Sequence, residues 1–526
     1  MRSVEAVLLL VVLGTVVAAF AKRLRVPAPS LLVAVGLAVG LLPGVPPVHV
    51  PPDVISLVVL PPLLYAASEE LPWRDLRAVW RPVIVLAVGL VLASACAVAA
   101  VTVAVVSVPV SMAFVLGAVL ASTDPVAVSA LGRRLSLPAR VQAVVQGESL
   151  FNDGTSLVLF QIAVSFAVAG TAAASAAGVV LHGVGEFAVL AGGGVLAGAV
   201  VAAGVIAVRS KITDPVLETV VALITPYVAY VLGTALHVSG VMAVIVAGLA
   251  AGARRTRITT AQTRLQLHSV YQTLIFLLES VVFSLIGLEL PTLIRSLSHE
   301  EGWPLAALAI AGTLIAARVL WIFPSWLMIQ RRRGTRRPSW AVPAVVSWAG
   351  ARGVVPLAAA LSIPLTTSSG APLPQRDLIL VLAAAVIVIS LIVQGFTLEP
   401  LVKFTGIARP PADAHHEQTM ARLRMAEAGL ARLDELAGGD AVDDAVIDRL
   451  RDGLQARIGR DHARMEAGRD AAPATLTERQ VRRELIAAEH TELARLYQSG
   501  TIGEPTRSQL QRALDLETAR LGDAPG

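Results

Sequence analysis

Two carboxylates, a hydroxyl and an amide fall within six residues of one another in an apolar run, Gln146-Gly147-Glu148-Ser149-Leu150-Phe151-Asn152-Asp153-Gly154. On a helix, Ser149 and Asp153 share one face, and Glu148 and Asn152 share the adjacent one, because each pair is four residues apart. The first face is rich in oxygen, which suits a hard monovalent cation such as Na+. A second group is Ala121-Ser122-Thr123-Asp124-Pro125. Pro125 has no N–H to give a helix, and it disfavours helical geometry at Asp124. A break there frees backbone carbonyls beside Thr123 and Asp124. The third group is Ser347-Trp348-Ala349-Gly350-Ala351-Arg352-Gly353-Val354-Val355-Pro356, where Gly350, Gly353 and Pro356 predict another interruption. Arg352 needs an anionic partner in such surroundings. Glu148 is the natural candidate, since Asp153 is then left for an exchangeable ion. Arg318 is open to pairing with Glu279 or another acid, or to capping a freed carbonyl.

These residues sit in a chain built for lipid. Of 526 residues only 15% are charged, against roughly 25% in soluble domains, and mean hydropathy is +0.71. Thirteen stretches are long and apolar enough to span a bilayer: 4–21, 28–47, 53–70, 82–106, 110–131, 141–168, 181–208, 214–236, 239–252, 268–292, 303–329, 341–363 and 377–401. The three groups above therefore lie at membrane depth, in the fifth, sixth and twelfth spans, where ionisable residues mark function. Glu186, Glu218 and Glu289 lie near span ends and read equally well as interfacial. The single cysteine, Cys96, forms no intrachain disulfide and reads as a buried small apolar residue. No cofactor motif is present.

Ala19-Phe20-Ala21 resembles a signal-peptide cleavage site, but the basic residues Lys22, Arg23 and Arg25 follow the first apolar run instead of preceding it. With the N-terminus outside and thirteen helices alternating, one side collects nearly all the basic loop residues. They run from Lys22, Arg23 and Arg25, through Arg331, Arg332, Arg333, Arg336 and Arg337, to Lys403 and Arg409. The other side keeps only Arg2, Arg295 and Arg376. That asymmetry fixes the cytoplasmic face and explains the arginines without nucleic acid. Residues 1–409 are thus read as the membrane domain. Residues 410–526 contain no span and read as a cytoplasmic tail of amphipathic helices, either a solvated appendage or a regulatory domain. The expected fold is all-α, and its fifth and twelfth helices are broken and cross the membrane in opposite directions. That is the mark of an inverted-repeat transporter.

At these residues the sequence resembles the NhaP/NHE-type sodium–proton exchangers among the monovalent cation/proton antiporters. The segments that carry the likeness are Thr123-Asp124-Pro125, Gly147 through Asp153 and Gly350-Ala351-Arg352-Gly353, with Leu60-Pro61-Pro62-Leu63-Leu64, Ser239-Gly240-Val241 and Phe283 through Leu290 in support. The resemblance covers about residues 1–410 and implies a homodimer, in a bacterial plasma membrane, of protomers with a dimerisation part and a mobile core. Carried over by position, it implies that Asp153 binds cation and proton in turn, with Ser149 and Thr123 as oxygen ligands. Asp124 would act through water or by orienting the break, and Asn152 and Arg352 would steady Glu148 and the half-helices. Where some members carry a Glu in the third span, this sequence has Ala66, with Glu69 and Glu70 following. Asn152 in place of a second Asp resembles the electroneutral, one-for-one branch.

The implied activity is exchange of Na+, or of Li+ or K+, for H+ by competition at one carboxylate. Three other readings stand beside it: K+/H+ exchange on the same scaffold, an ion channel, and an intramembrane hydrolase using Asp124 and Asp153 as a dyad. A channel would line a shared pore from several subunits, whereas these polar groups come from one chain. No Gly-x-Gly-Asp segment, Gly-x-Ser-x-Gly, His-Glu-x-x-His or phosphate loop supports an enzyme.

Overall fold

The structure is a computed structural model. It describes residues 28–42, 51–124, 139–169, 176–212, 214–297, 302–332, 340–407, 411–437, 444–466 and 472–499, with a few short stretches before and after these. Most of the first predicted span, 4–21, lies outside the described residues, as do the basic loop after it and Pro125 with the rest of the fifth span.

The described chain is helical; its one β feature is an isolated bridge between Thr366 and Pro372. In chain order the membrane part comprises α1 (Ala28–Gly40), α2 (Pro52–Val58), α3 (Leu60–Glu70) and α4 (Trp73–Ile84). A π-turn over Val85–Leu90 joins α4 to α5 (Val91–Val105), and α6 (Val110–Ala121) and α7 (Ala139–Ala169) follow. Then come α8 (Ala176–Arg209), α9 (Pro215–Ala235), α10 (Gly240–Ile258), α11 (Ala261–Ser296) and α12 (Trp303–Arg332). The last three are α13 (Ala341–Trp348), α14 (Val354–Leu361) and α15 (Arg376–Thr405). Among the described residues seven helices are long and apolar enough to cross a membrane; Ala28–Gly40 and Val110–Ala121 are shorter apolar helices. This is a membrane protein.

Helix ends follow local chemistry. The Asp214 carboxylate accepts from the N–H groups of Val216 (2.7 Å) and Leu217 (3.1 Å), and Pro215 at the first position of α9 has no N–H to leave unpaired. Ser239 caps α10 and Thr260 caps α11 in the same way. Gly406, at φ 63°, closes α15 in the left-handed region that glycine enters freely.

The helices form two packed groups. One contains α2, α3, α8, α9 and α10; the other contains α4, α5, α6, α7, α12, α13, α14 and α15. Helix α11 packs against members of both, and its crossing with α1 is backbone to backbone. At that crossing the α carbon of Gly36 lies 3.0 Å from where a Cβ on Gly287 would stand, so neither position has room for a side chain. Cys96 corrects the expectation of a buried position: it lies exposed on the outer face of α5. A small apolar residue is equally at home against lipid, and hydrophobicity all round a helix does not say which face packs.

Residues Arg409–Gly526 form a separate compact unit. Its helices are α16 (Pro411–Ala437), α17 (Asp444–Glu466) and α18 (Ala472–Gln498). Helices α16 and α17 bury Leu423, Leu433 and Ile447. Arg451 bridges them with Asp434 at 3.0 Å and also meets Asp448 at 3.0 Å.

Candidate functional site

Two non-helical segments meet in the middle of the second helix group. One is Ser122–Asp124, where the chain leaves α6 in extended geometry. The other is Ala349–Gly353, between α13 and α14. The Asp124 N–H donates to the Ala351 carbonyl at 2.7 Å, so the two segments are joined directly. Gly353 lies against the Asp124 side chain so closely that a Cβ would overlap it, and a Cβ on Gly350 would overlap the Arg318 guanidinium. Both glycines are required by close approach, whatever their backbone angles.

Helix α7 brings its polar face to this crossing. Ser122 donates a short hydrogen bond to Asp153 Oδ1, and Ser149 donates another to the Thr123 carbonyl. Asn152 Nδ2 donates to Thr123 Oγ1 at 3.1 Å and to Glu148 Oε1 at 3.4 Å. Asp153 is 6% exposed, and Glu148, Ser149 and Asn152 are still more deeply buried. The predicted oxygen-rich set of Thr123, Asp124, Ser149 and Asp153 is therefore brought together, and Glu148 and Asn152 stand behind it.

The arginines correct the expected pairing. Arg318, not Arg352, meets Glu148, with Nη1 2.6 Å from Oε1. Its remaining donors go to the Ser347 carbonyl (Nε, 3.1 Å) and the Val346 carbonyl (Nη2, 2.9 Å), at the C-terminal end of α13. Arg352 turns instead to backbone. Nε donates to Leu120 in the last turn of α6 at 3.1 Å, and Nη1 makes a short bond to the Gly350 carbonyl. Its own N–H is received by Ser390 Oγ at 3.2 Å. The reason lies in the interruptions. Each ends a helix inside the protein and leaves carbonyls and the negative end of a helix dipole without water. A guanidinium with five donors satisfies several at once, and each helix end receives one.

The oxygen set lines a cavity of about 500 Å³ between α3, α7, α11 and α14. Asp153, Asp124, Ser149 and Thr123 face it, as do Glu279 of α11 and Glu70 at the end of α3. Gln142 and Gln146 are its other polar lining residues, and none of the described lining residues is basic. Glu70 is well exposed, with 58% of its side chain open, so the cavity runs from solvent to the buried Asp153. Ala66, where a related sequence would carry Glu, also lines it. The arrangement offers a small cation a negatively charged path ending in carboxylate, hydroxyl and carbonyl oxygens.

Residues 7–404 match the family described as "Sodium/hydrogen exchanger, transmembrane". The chain belongs to this family. A relative in Mycobacterium tuberculosis (strain ATCC 25618 / H37Rv), named as an uncharacterized Na(+)/H(+) exchanger, is 35% identical over 98% of this chain and 94% of its own length. A sodium, potassium, lithium and rubidium/H(+) antiporter of Bacillus pumilus (strain SAFR-032) is 30% identical over 71% of this chain and 57% of its own length. Among solved structures, the sodium proton antiporter MjNhaP1 from Methanocaldococcus jannaschii matches with a TM-score of 0.61 over 77% of this chain and 98% of that one, at 20% identity. The last likeness gives this family member its antiporter fold. Relatives of the chain are named as antiporters.

Sequence reasoning missed two features. Ser122 stands within the Thr123-Asp124 motif, but one serine beside a break does not show that it reaches a carboxylate 31 residues on. The second is a buried ionic cluster in the first helix group. Arg209, with no exposed surface, meets Glu218 at 3.1 Å, Glu69 at 3.4 Å and Thr259 Oγ1 at 3.0 Å. Glu218, which its position near a span end left open to an interfacial reading, is buried here. Glu218, in the first turn of α9, is reached by Arg209 at the end of α8, a contact that span boundaries do not reveal.

Proposed function

We propose that this protein is a secondary antiporter exchanging a monovalent cation, Na+ first and Li+ or K+ with it, for H+ by alternating access. Asp153 is the exchanging group. The observation that carries this reading is the position of Asp153, buried at the closed end of a cavity that is lined by carboxylates and, among the described residues, by no basic side chain.

The mechanism follows from charge. A proton and a cation compete for one carboxylate, because each neutralises it and neither binds well beside the other. The neutralised site crosses the apolar barrier between the two sides. The empty, charged site does not, since an unpaired charge in low dielectric costs several kcal/mol. Leak is thereby suppressed and exchange enforced. Ser149 and Thr123 supply oxygens to the dehydrated cation, and Asp124 holds the interruption through its link to Ala351. Asn152 supports Glu148, while Arg318 and Arg352 hold the half-helix ends. With Asn152 beside Asp153, one titratable group handles each cycle, giving one-for-one, electroneutral exchange.

In this reading the protomer has thirteen spans in inverted repeats, with the fifth and twelfth broken at Pro125 and at Gly350–Gly353. It works as a homodimer in the plasma membrane, N-terminus outside, with residues 410–526 as a cytoplasmic, regulatory tail. The cavity then faces the cytoplasm, because Arg74, Arg77 and Arg81 follow Glu70 in the chain. K+/H+ exchange is the second reading, favoured by the Bacillus relative whose name includes potassium.

The test is reconstitution in proteoliposomes with an imposed pH gradient and a pH-sensitive dye. Na+, Li+ and K+ are added in turn, to wild type and to Asp153→Asn. Collapse of the gradient by a cation with wild type alone supports exchange at Asp153 and names the substrate. No collapse between about pH 6 and 9, by full-length or tail-truncated protein, removes the reading.

A further inference from the structure

One wall of the cavity takes no part in the exchange step described above. Helix α11 presents Ile275 and Glu279 to the cavity, four residues apart and so on one face. The Glu279 carboxylate has no hydrogen bond or ion pair among the described residues. Its electrostatic neighbour is Asp124, of the same sign. Asp153 and Glu70 line the same cavity, and among the described residues no guanidinium or ammonium lines it. A structural carboxylate at membrane depth is held by a partner. This one lines a cavity open to solvent with none among the described residues, and the species that would balance it is a cation.

Its place in the fold gives the residue a distinct use. Asp153 belongs to α7 and Glu279 to α11, which packs on α1, α3 and α9 as well as on α14 and α15. Glu279 therefore lines, from a different helix, the same cavity that ends at Asp153, and an entering cation passes along that wall.

We infer that Glu279 is a second cation-binding carboxylate of this cavity, holding the monovalent cation ahead of Asp153 and setting how tightly the cavity takes it up. The inference rests on the exchange reading and adds a residue to it. A carboxylate several ångströms from the bound cation, in a partly hydrated cavity, is worth about a factor of ten in affinity.

The experiment compares wild type, Glu279→Gln and Glu279→Asp in proteoliposomes, with initial exchange rates measured against Na+ concentration. In parallel, melting in detergent is followed as Na+ is raised, which reads binding without transport. Glu279→Gln is expected to raise the KM for Na+ about tenfold, a larger factor than any fall in maximal rate. It should move the Na+ midpoint of thermal stabilisation by a similar factor, with Glu279→Asp recovering most of both. Wild-type KM and midpoint in Glu279→Gln overturn the inference. Should that variant transport nothing, its melting midpoint decides: unchanged overturns, about tenfold higher supports. A wild type without cation-driven proton flux overturns the exchange reading and this inference together. An exchanging wild type beside an unaltered Glu279→Gln overturns the inference alone.

Discussion

Asp153 and Arg318 are both buried ionisable residues, yet opposite consequences follow from removing them. Asp153 is held by one hydroxyl and otherwise faces the cavity, so Asp153→Asn keeps shape and volume and removes only the charge. It is expected to abolish cation-driven proton flux while melting within a few degrees of wild type. Retained exchange in that variant would refute the single-site scheme. Arg318 holds Glu148 and two carbonyls at once. Arg318→Ala strands a buried carboxylate, a change that costs about 3–5 kcal/mol, and should lower the melting temperature in detergent sharply. Combining it with Glu148→Gln should recover part of that loss, because the second change removes the stranded charge. Arg352→Ala leaves Glu148 paired. An equal melting penalty in Arg352→Ala, relieved in the same way by Glu148→Gln, would contradict the geometry. The polar residues themselves could be picked out from the sequence, since charge in an apolar run is conspicuous. Their partners could not, because spacing reports only which residues share a face of one helix, and a guanidinium reaches across to another.

At the scale of elements, the non-helical stretch Ala349–Gly353 was legible from Gly350 and Gly353, which cost backbone entropy in a helix, and from Pro356, which has no N–H to give one. The contact it makes was not, for Asp124 and Ala351 lie 227 residues apart and their meeting depends on how α6 and α13 pack. That contact now gives Gly353 a defined role. In Gly353→Ala the new methyl group enters the space of the Asp124 side chain, which forces the two non-helical segments apart. Exchange should fall at least tenfold, and a compensating Asp124 substitution should not restore it, because Asp124 is itself part of the site. Near-wild-type rates would mean that the crossing yields more easily than its packing indicates. Helix α9 provides a contrast away from the site. Asp214→Ala removes two hydrogen bonds from an exposed helix start and should cost about 1 kcal/mol in stability with exchange intact.

For the whole molecule, the membrane class was plain from hydropathy. The two helix groups were not, because nearly uniform apolar helices carry little record of which face packs on which. The chain divides at Ala408 and Arg409 into two compact units. Protein ending at residue 408 is therefore expected to insert and to exchange in proteoliposomes. A tail that regulates would reveal itself as a shift in the pH profile of the truncated form, and superimposable profiles would assign it no part in exchange. Competition at one carboxylate also fixes a sign: the KM for the cation should rise as pH falls, and a KM independent of pH would argue for separate sites.

The cluster around Arg209 bears on how the chain is made. Glu69 is synthesised 140 residues ahead of Arg209, whereas Glu218 follows Arg209 by only nine. The later pair can enter the bilayer as a hairpin already neutralised. Glu69 can only wait, and the least costly place for a waiting carboxylate is the water boundary at the end of α3. The Glu69–Arg209 contact can therefore form only once Arg209 has been made, which ties the final seating of the cavity wall bearing Leu63, Leu64 and Ala66 to a later stage of translation.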